Sequence, residues 1–153
     1  MASLDRPIRR AVAAGRLIVC ERDAYWGPAW RRELAGGNVR VCETRLWDEA
    51  RTELARWRWA ALAVEFRKET AERMAADLAE LLRSTSGVVA VAMARRGLEA
   101  AEWLAREAGA ACFTTSPRQL RPAAQLVRRH GDLAPPMKMS WKEQIWTRLP
   151  WGE

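Results

Sequence analysis

Trp59-Ala60-Ala61-Leu62-Ala63-Val64-Glu65-Phe66-Arg67 is the stretch on which the reading of this chain turns. Six apolar residues run without a break and then meet one carboxylate, Glu65. A run this short and this uniformly apolar suits a strand buried on both faces, as in a parallel sheet covered by helices. A charge at the carboxyl end of such a strand falls at the rim, where open α/β sheets place their binding crevice. Glu65 therefore stands where chemistry would take place, and its neighbours decide whether any does.

Downstream, Thr70 to Arg83 is the clearest helix: Met74, Ala75, Leu78, Leu81 and Leu82 share one face and charges take the other. Ser84-Thr85-Ser86-Gly87 ends it, and Val88 to Ala92 is again almost continuously apolar, a further strand. Gly97 to Ala108 has helical spacing through Leu98, Ala101, Trp103, Leu104 and Ala105, with Gly109 as its stop. Ala111 to Thr115 makes another strand, Ser116-Pro117 punctuates, and Leu120 to Arg129 forms the last helix of the domain, closed by Gly131.

Upstream, Arg16 to Cys20 is the first strand, followed by the acidic cluster Glu21-Arg22-Asp23. Pro28 is placed for the first turn of a helix reaching about Ala35, and Gly36-Gly37-Asn38 stops it. Val39 to Cys42 is a short alternating strand, as expected near a sheet edge. Thr44 or Asp48 is a candidate cap for the next helix, in which Leu46, Trp47, Ala50, Leu54 and Trp57 recur at helical spacing. Alternating strands and helices with short connections predict an α/β domain on a five-stranded parallel sheet, and most of the nine tryptophans are expected to pack helices onto it.

Composition narrows the function classes. At 153 residues the chain fits one domain, with a lead-in over 1–15, the domain over 16–133 and a tail over 134–153. The charge of +7 comes mainly from arginine spread along the chain, which usually means a solvated surface and leaves nucleic-acid binding open without a supporting motif. The apolar segment Ala11 to Cys20 is interrupted by Gly15 and Arg16, so neither a signal-peptide core nor a membrane span is expected, and the expected location is cytoplasmic. Cys20, Cys42 and Cys112 lack metal-ligand spacing, and there is no glycine-rich phosphate loop, so neither a metal nor another cofactor is expected. His130 is expected past the last helix and exposed, leaving Ser116, Thr115 and Glu65 without a histidine to build a hydrolase.

Over roughly Arg16 to Arg129 the chain resembles the receiver domain of bacterial response regulators. The likeness rests on the first strand with its acidic cluster, on Glu49-Ala50 through Leu54 leading to the central strand, and above all on Ala108-Gly109-Ala110-Ala111-Cys112-Phe113-Thr114-Thr115-Ser116-Pro117. The resemblance implies a doubly wound sheet in the order 2-1-3-4-5. It also implies a site with an aspartate nucleophile, an acidic pair for Mg²⁺, a small hydroxyl residue and a lysine followed by proline. Here those positions hold Glu65, then Glu21 and Arg22 with Asp23 just beyond, then Ala92 (or Met93 if the strand is shifted by one), then Ser116 before Pro117. A glutamate carries its carboxylate about one ångström further out, which spoils in-line alignment. Arg22 puts a cation where carboxylates would hold Mg²⁺, and the lysine is lost. The expectation is a relic phosphoacceptor pocket without catalysis, Glu65 being either a solvated carboxylate or the ion-pair partner of Arg22.

Ala134-Pro135-Pro136 is a stiff break. Beyond it, Ser140 and Glu143 fit a capping box, and Trp141, Ile145 and Leu149 fall at i, i+4 and i+8 with Trp146 beside them and Trp151 after Pro150. So apolar a C-terminal helix has to bury its face, either on its own domain or on another protein. The expected function is a non-phosphorylated pseudo-receiver, not an enzyme, that works as a signalling and protein-interaction module with this tail as docking element. Its partner is a protein of open identity, a homodimer being one form; a nucleic-acid-binding accessory protein is the alternative, and a membrane is not expected as a partner.

Overall fold

A computed structural model describes residues 15–135. Five strands alternate with five α-helices: β1 Gly15–Cys20, α1 Gly27–Glu33, β2 Val39–Thr44, α2 Trp47–Ala55, β3 Ala60–Phe66, α3 Ala71–Ser84, β4 Val88–Ala94, α4 Ala101–Glu107, β5 Cys112–Thr114 and α5 Arg121–Asp132. All pairings are parallel and the sheet order is β2-β1-β3-β4-β5. The fold is the expected α/β one, doubly wound about a central β3, with the alternating strand β2 at an edge.

Strand alternation sorts the core into two layers. Ile18, Cys20, Leu62, Val64, Ala90 and Ala92 point to the face covered by α2, α3 and α4. Leu17, Val19, Ala61, Ala63, Val91 and Met93 point to the face covered by α1 and α5. Every residue of β3 is buried, as its apolar run requires. On the second face Trp26 and Trp30 are fully buried in the cluster that contains Ala61 and Ala63. Small side chains on the central strand leave the volume that two indoles fill, and truncating a buried indole to alanine costs about 3–5 kcal/mol.

Several local expectations are corrected. β4 runs on to Ala94 and β2 to Thr44, so both strands end two residues later than expected, although the apolar run of β4 itself extends through Met93 and Ala94. Neither Thr44 nor Asp48 caps α2. The Thr44 hydroxyl donates to the Val19 carbonyl at 3.1 Å, and the Glu49 carboxylate instead accepts from the backbone N–H groups of Arg45 and Leu46. α4 begins only at Ala101, because Gly97 takes a positive φ of 93° that no helix contains. His130 is not past the last helix but inside it. α5 continues through Gly131, whose bare Cα lets it close on Gly15 of β1: a Cβ on Gly15 would stand 3.0 Å from the Gly131 Cα.

The half-buried His130 ring stacks on Trp59 at 4.6 Å between centroids, its Nε2 lies 2.9 Å from the Gly87 carbonyl, and the Trp59 indole N–H donates to the His130 carbonyl at 2.5 Å. Gly87 has φ +84° and a Cβ there would run into the Arg58 carbonyl, so only glycine lets this turn close against the Arg56–Trp59 connection.

Candidate functional site: an acidic rim closed by arginine

The carboxyl ends of β1, β3 and β4 converge on Glu65, which is only 4 % exposed. Its side chain lies on the face of the sheet shared with Met93, its in-register neighbour on β4. Ala92 belongs to the opposite face and is fully buried there, so the residue beside Glu65 is the methionine. Met93 is held from below by the Trp30 indole N–H, 3.1 Å from its sulfur. A thioether offers a phosphoryl group no donor.

Glu65 is neither solvated nor paired with the Arg22 guanidinium. Arg22 is exposed, and it is its backbone N–H that donates to Glu65 Oε2 at 3.3 Å. The cations are two that sequence reading did not single out. Arg95, the first residue after β4, places its Nε 3.4 Å from Glu65 Oε1, and Arg67, the first after β3, places Nη1 3.7 Å from Oε2. Both also reach Asp23, Arg67 at 3.2 Å and Arg95 at 3.8 Å. The Arg95 guanidinium lies 3.7 Å over the Tyr25 ring, a cation–π contact that fixes its plane. Two carboxylates and two guanidiniums thus form a closed quartet with no net charge. One signal could have revealed it: an arginine directly follows both central strands, within reach of whatever ends its neighbour.

Glu21, 2 % exposed, has turned away from this quartet. Its carboxylate accepts from the backbone N–H groups of Tyr25 (2.6 Å), Trp26 (2.7 Å) and Gly27 (2.7 Å), satisfying the amino end of α1 from within the chain. To curl back so far the loop takes Ala24 to a φ of 52°, a left-handed conformation that costs an L-residue about 1–2 kcal/mol. Arg45 Nη1 stands 3.8 Å from the same carboxylate. Glu21 and Glu65 therefore serve different partners and do not form a pair for one metal ion. Among the described residues no group of three or more His, Cys, Asp and Glu side chains could hold a metal.

Ser116 is buried at the end of β5, where its hydroxyl accepts from the Arg118 N–H at 3.3 Å and its N–H points to Thr114 Oγ1 at 3.4 Å. It caps the short turn Pro117–Gln119. Pro117 opens that turn, where a missing N–H is no loss. Burial pushes the thiols of Cys20 and Cys42 up, away from the reactive thiolate form. The proposed docking residues Trp141, Ile145, Trp146, Leu149 and Trp151 lie outside the described residues. A shallow recess of about 230 Å³ lined by Gly15, Gly37, Asn38, Arg128 and Gly131 opens at the opposite end of the sheet from Glu65. Among the described residues no helix is long and apolar enough to cross a membrane.

Neither a protein-family model nor a curated protein matches the sequence. Solved structures do match. A CheY-like protein, TadZ, from Pseudomonas aeruginosa PAO1 is 20 % identical with a TM-score of 0.61, the match covering 79 % of this chain and 96 % of that one. An orphan response regulator of H. pylori is 13 % identical with a TM-score of 0.62, over 77 % and 97 % of the two chains. An atypical orphan response regulator described as having a phosphorylation-independent regulatory mechanism is 16 % identical with a TM-score of 0.57, over 77 % and 96 %. At such identities the likeness speaks for architecture alone, and the architecture is that of the CheY-like receiver domain.

Proposed function

We propose that this receiver-fold domain neither takes nor transfers a phosphoryl group, and that it acts as a protein-interaction module held in one state. The observation that carries the reading is the quartet of Asp23, Glu65, Arg67 and Arg95. A working phosphoacceptor site needs carboxylates free for Mg²⁺ and positive charge free for the phosphoryl oxygens. Here the carboxylates hold the arginines and the arginines hold the carboxylates.

Support also comes from the atypical neighbour, whose description attributes phosphorylation-independent regulation to that protein. With the pocket closed, a signal leaves through contacts, and the tail bearing Trp141, Ile145, Trp146, Leu149 and Trp151 is the segment whose sequence best suits docking. The test is incubation of the full chain with acetyl phosphate and Mg²⁺, read by intact mass and by intrinsic tryptophan fluorescence. No adduct and an unchanged spectrum are expected; a phosphoryl adduct on Glu65 or Asp23 would overturn the reading.

A further inference from the structure

The two ends of the sheet treat their cations differently. At the carboxyl end, Arg31, Arg45, Arg67 and Arg95 bridge acidic side chains, and exposed Arg22 and Arg96 stand beside them without an ion-pair partner among the described residues. At the amino end, among the described residues, the strand starts and the connections leading into them carry Arg16, Arg40, Arg56 and Arg58 and no aspartate or glutamate. Arg83 and Arg129, in the last turns of α3 and α5, add to the same end. Of these six, only Arg56 has an ion-pair partner among the described residues, Glu53 at 2.9 Å. Acids do occur on the helix ends nearby, at Glu33, Glu107 and Asp132, but none of them pairs with these arginines.

Two features show that this is more than a solvated surface. Arg16 and Arg40 are Cα partners on adjacent parallel strands, so strand alternation sends both side chains to the same face from backbones about 4.8 Å apart. Like charges placed side by side destabilise a sheet unless something compensates them. Burial and then the charge of Arg40 push the Arg16 guanidinium down from its ordinary value. The second feature is support. The Arg16 guanidinium lies 3.4 Å over the Trp57 ring, Trp59 stacks on His130, and the Arg58 carbonyl abuts Gly87. The Arg-Trp-Arg-Trp connection of residues 56–59 is therefore pinned at both rings while Arg58 and Arg40 stay exposed. Guanidiniums set on neighbouring strand starts, without ion-pair partners among the described residues, suit the regularly spaced phosphates of a nucleic acid.

We infer that the amino-terminal end of the sheet is a phosphate-binding face for nucleic acid, carried by Arg16, Arg40, Arg58 and Arg83 and indifferent to base sequence. The binding is electrostatic, so its logarithm falls linearly with the logarithm of salt, with a slope of about −0.9 for each phosphate neutralised on duplex DNA.

The experiment is fluorescence anisotropy of the full chain on a labelled duplex of random sequence, from low to physiological salt. The expected slope is about −3 to −4 for these arginines. Arg40→Ala and Arg58→Ala should each weaken binding several-fold and flatten the slope by about one phosphate, while the thermal midpoint stays put. Arg96→Ala, on an exposed residue at the carboxyl rim, should leave binding unchanged. No binding at low salt would overturn the proposal, as would an equal loss with Arg96→Ala. Equal or tighter binding to polyglutamate or to vesicles of anionic lipid would overturn the assignment to nucleic acid.

Discussion

Glu65 and Arg95 lend themselves to a double-mutant cycle. Arg95 is about half exposed, so solvent screening holds the coupling to about 1 kcal/mol, well short of what two fully buried charges would show. Glu65→Gln should lower stability by about 1–2 kcal/mol in urea unfolding, and the double variant Glu65→Gln/Arg95→Met should lose less than the sum. Additive losses would mean that the pair does not interact. Glu21→Gln should cost more, about 2–3 kcal/mol, because its carboxylate is buried and an amide can no longer accept from all three backbone N–H groups. At this scale sequence singled out Glu21 and Glu65, but the partner offered to Glu65, the Arg22 guanidinium, is not the one found. The strand spacing put Arg22 next to Glu65 in the chain's topology, yet whether a backbone N–H or a guanidinium makes the contact depends on the path of the loop. That path is set by Ala24 and by the pull of the α1 amides, neither of which leaves a pattern in the letters.

Strands and long helices were the legible elements. β3 announced itself by an unbroken apolar run, α3 by its period, and β2 by the alternation of an edge. The end of β2 was less legible for a physical reason: in-register pairing with β1 continues through Glu43 and Thr44 despite their polarity, whereas the apolar run of β4 does reach Ala94. α5 passes through Gly131 because the close approach to Gly15 outweighs the helix-breaking tendency of glycine. The β1–β2 pair also carries a pH dependence. Burial raises the Cys20 thiol, with the Glu49, Glu65 and Glu21 charges adding and the Thr44 hydroxyl opposing, and burial likewise raises Cys42. Above the ordinary thiol value of 9.0 the unfolded chain loses these protons before the folded one does. Stability is therefore fully present below that pH and declines as the pH rises through the folded values. Urea midpoints should fall between about pH 8 and about pH 10, and the fall should be smaller in Cys20→Ala/Cys42→Ala. Equal slopes in the two proteins would reject the account.

For the whole molecule, the fold was readable because the periodic patterns and one resemblance agreed on a single topology, and the sheet order followed it. The division of charge between the two ends was not readable, since it appears only when the strands are laid side by side. The tail bears on assembly. If it serves a partner, deleting residues 137–153 should move the thermal midpoint by no more than about 2 °C while removing partner binding; a drop of roughly ten degrees or more would mean that the tryptophans are core. The Arg95 contact also bears on how such a protein is controlled. A divalent ion is borrowed from solution, so a receiver that depends on it answers to chelation, to competing anions and to the supply of phosphodonor. A guanidinium joined to the chain next to its carboxylate is present at a local concentration set by bond lengths, and no dilution or chelator removes it. If the proposed reading holds, abundance is the remaining means of adjustment: synthesis and degradation of the chain would set the output, and the protein would report its own dose.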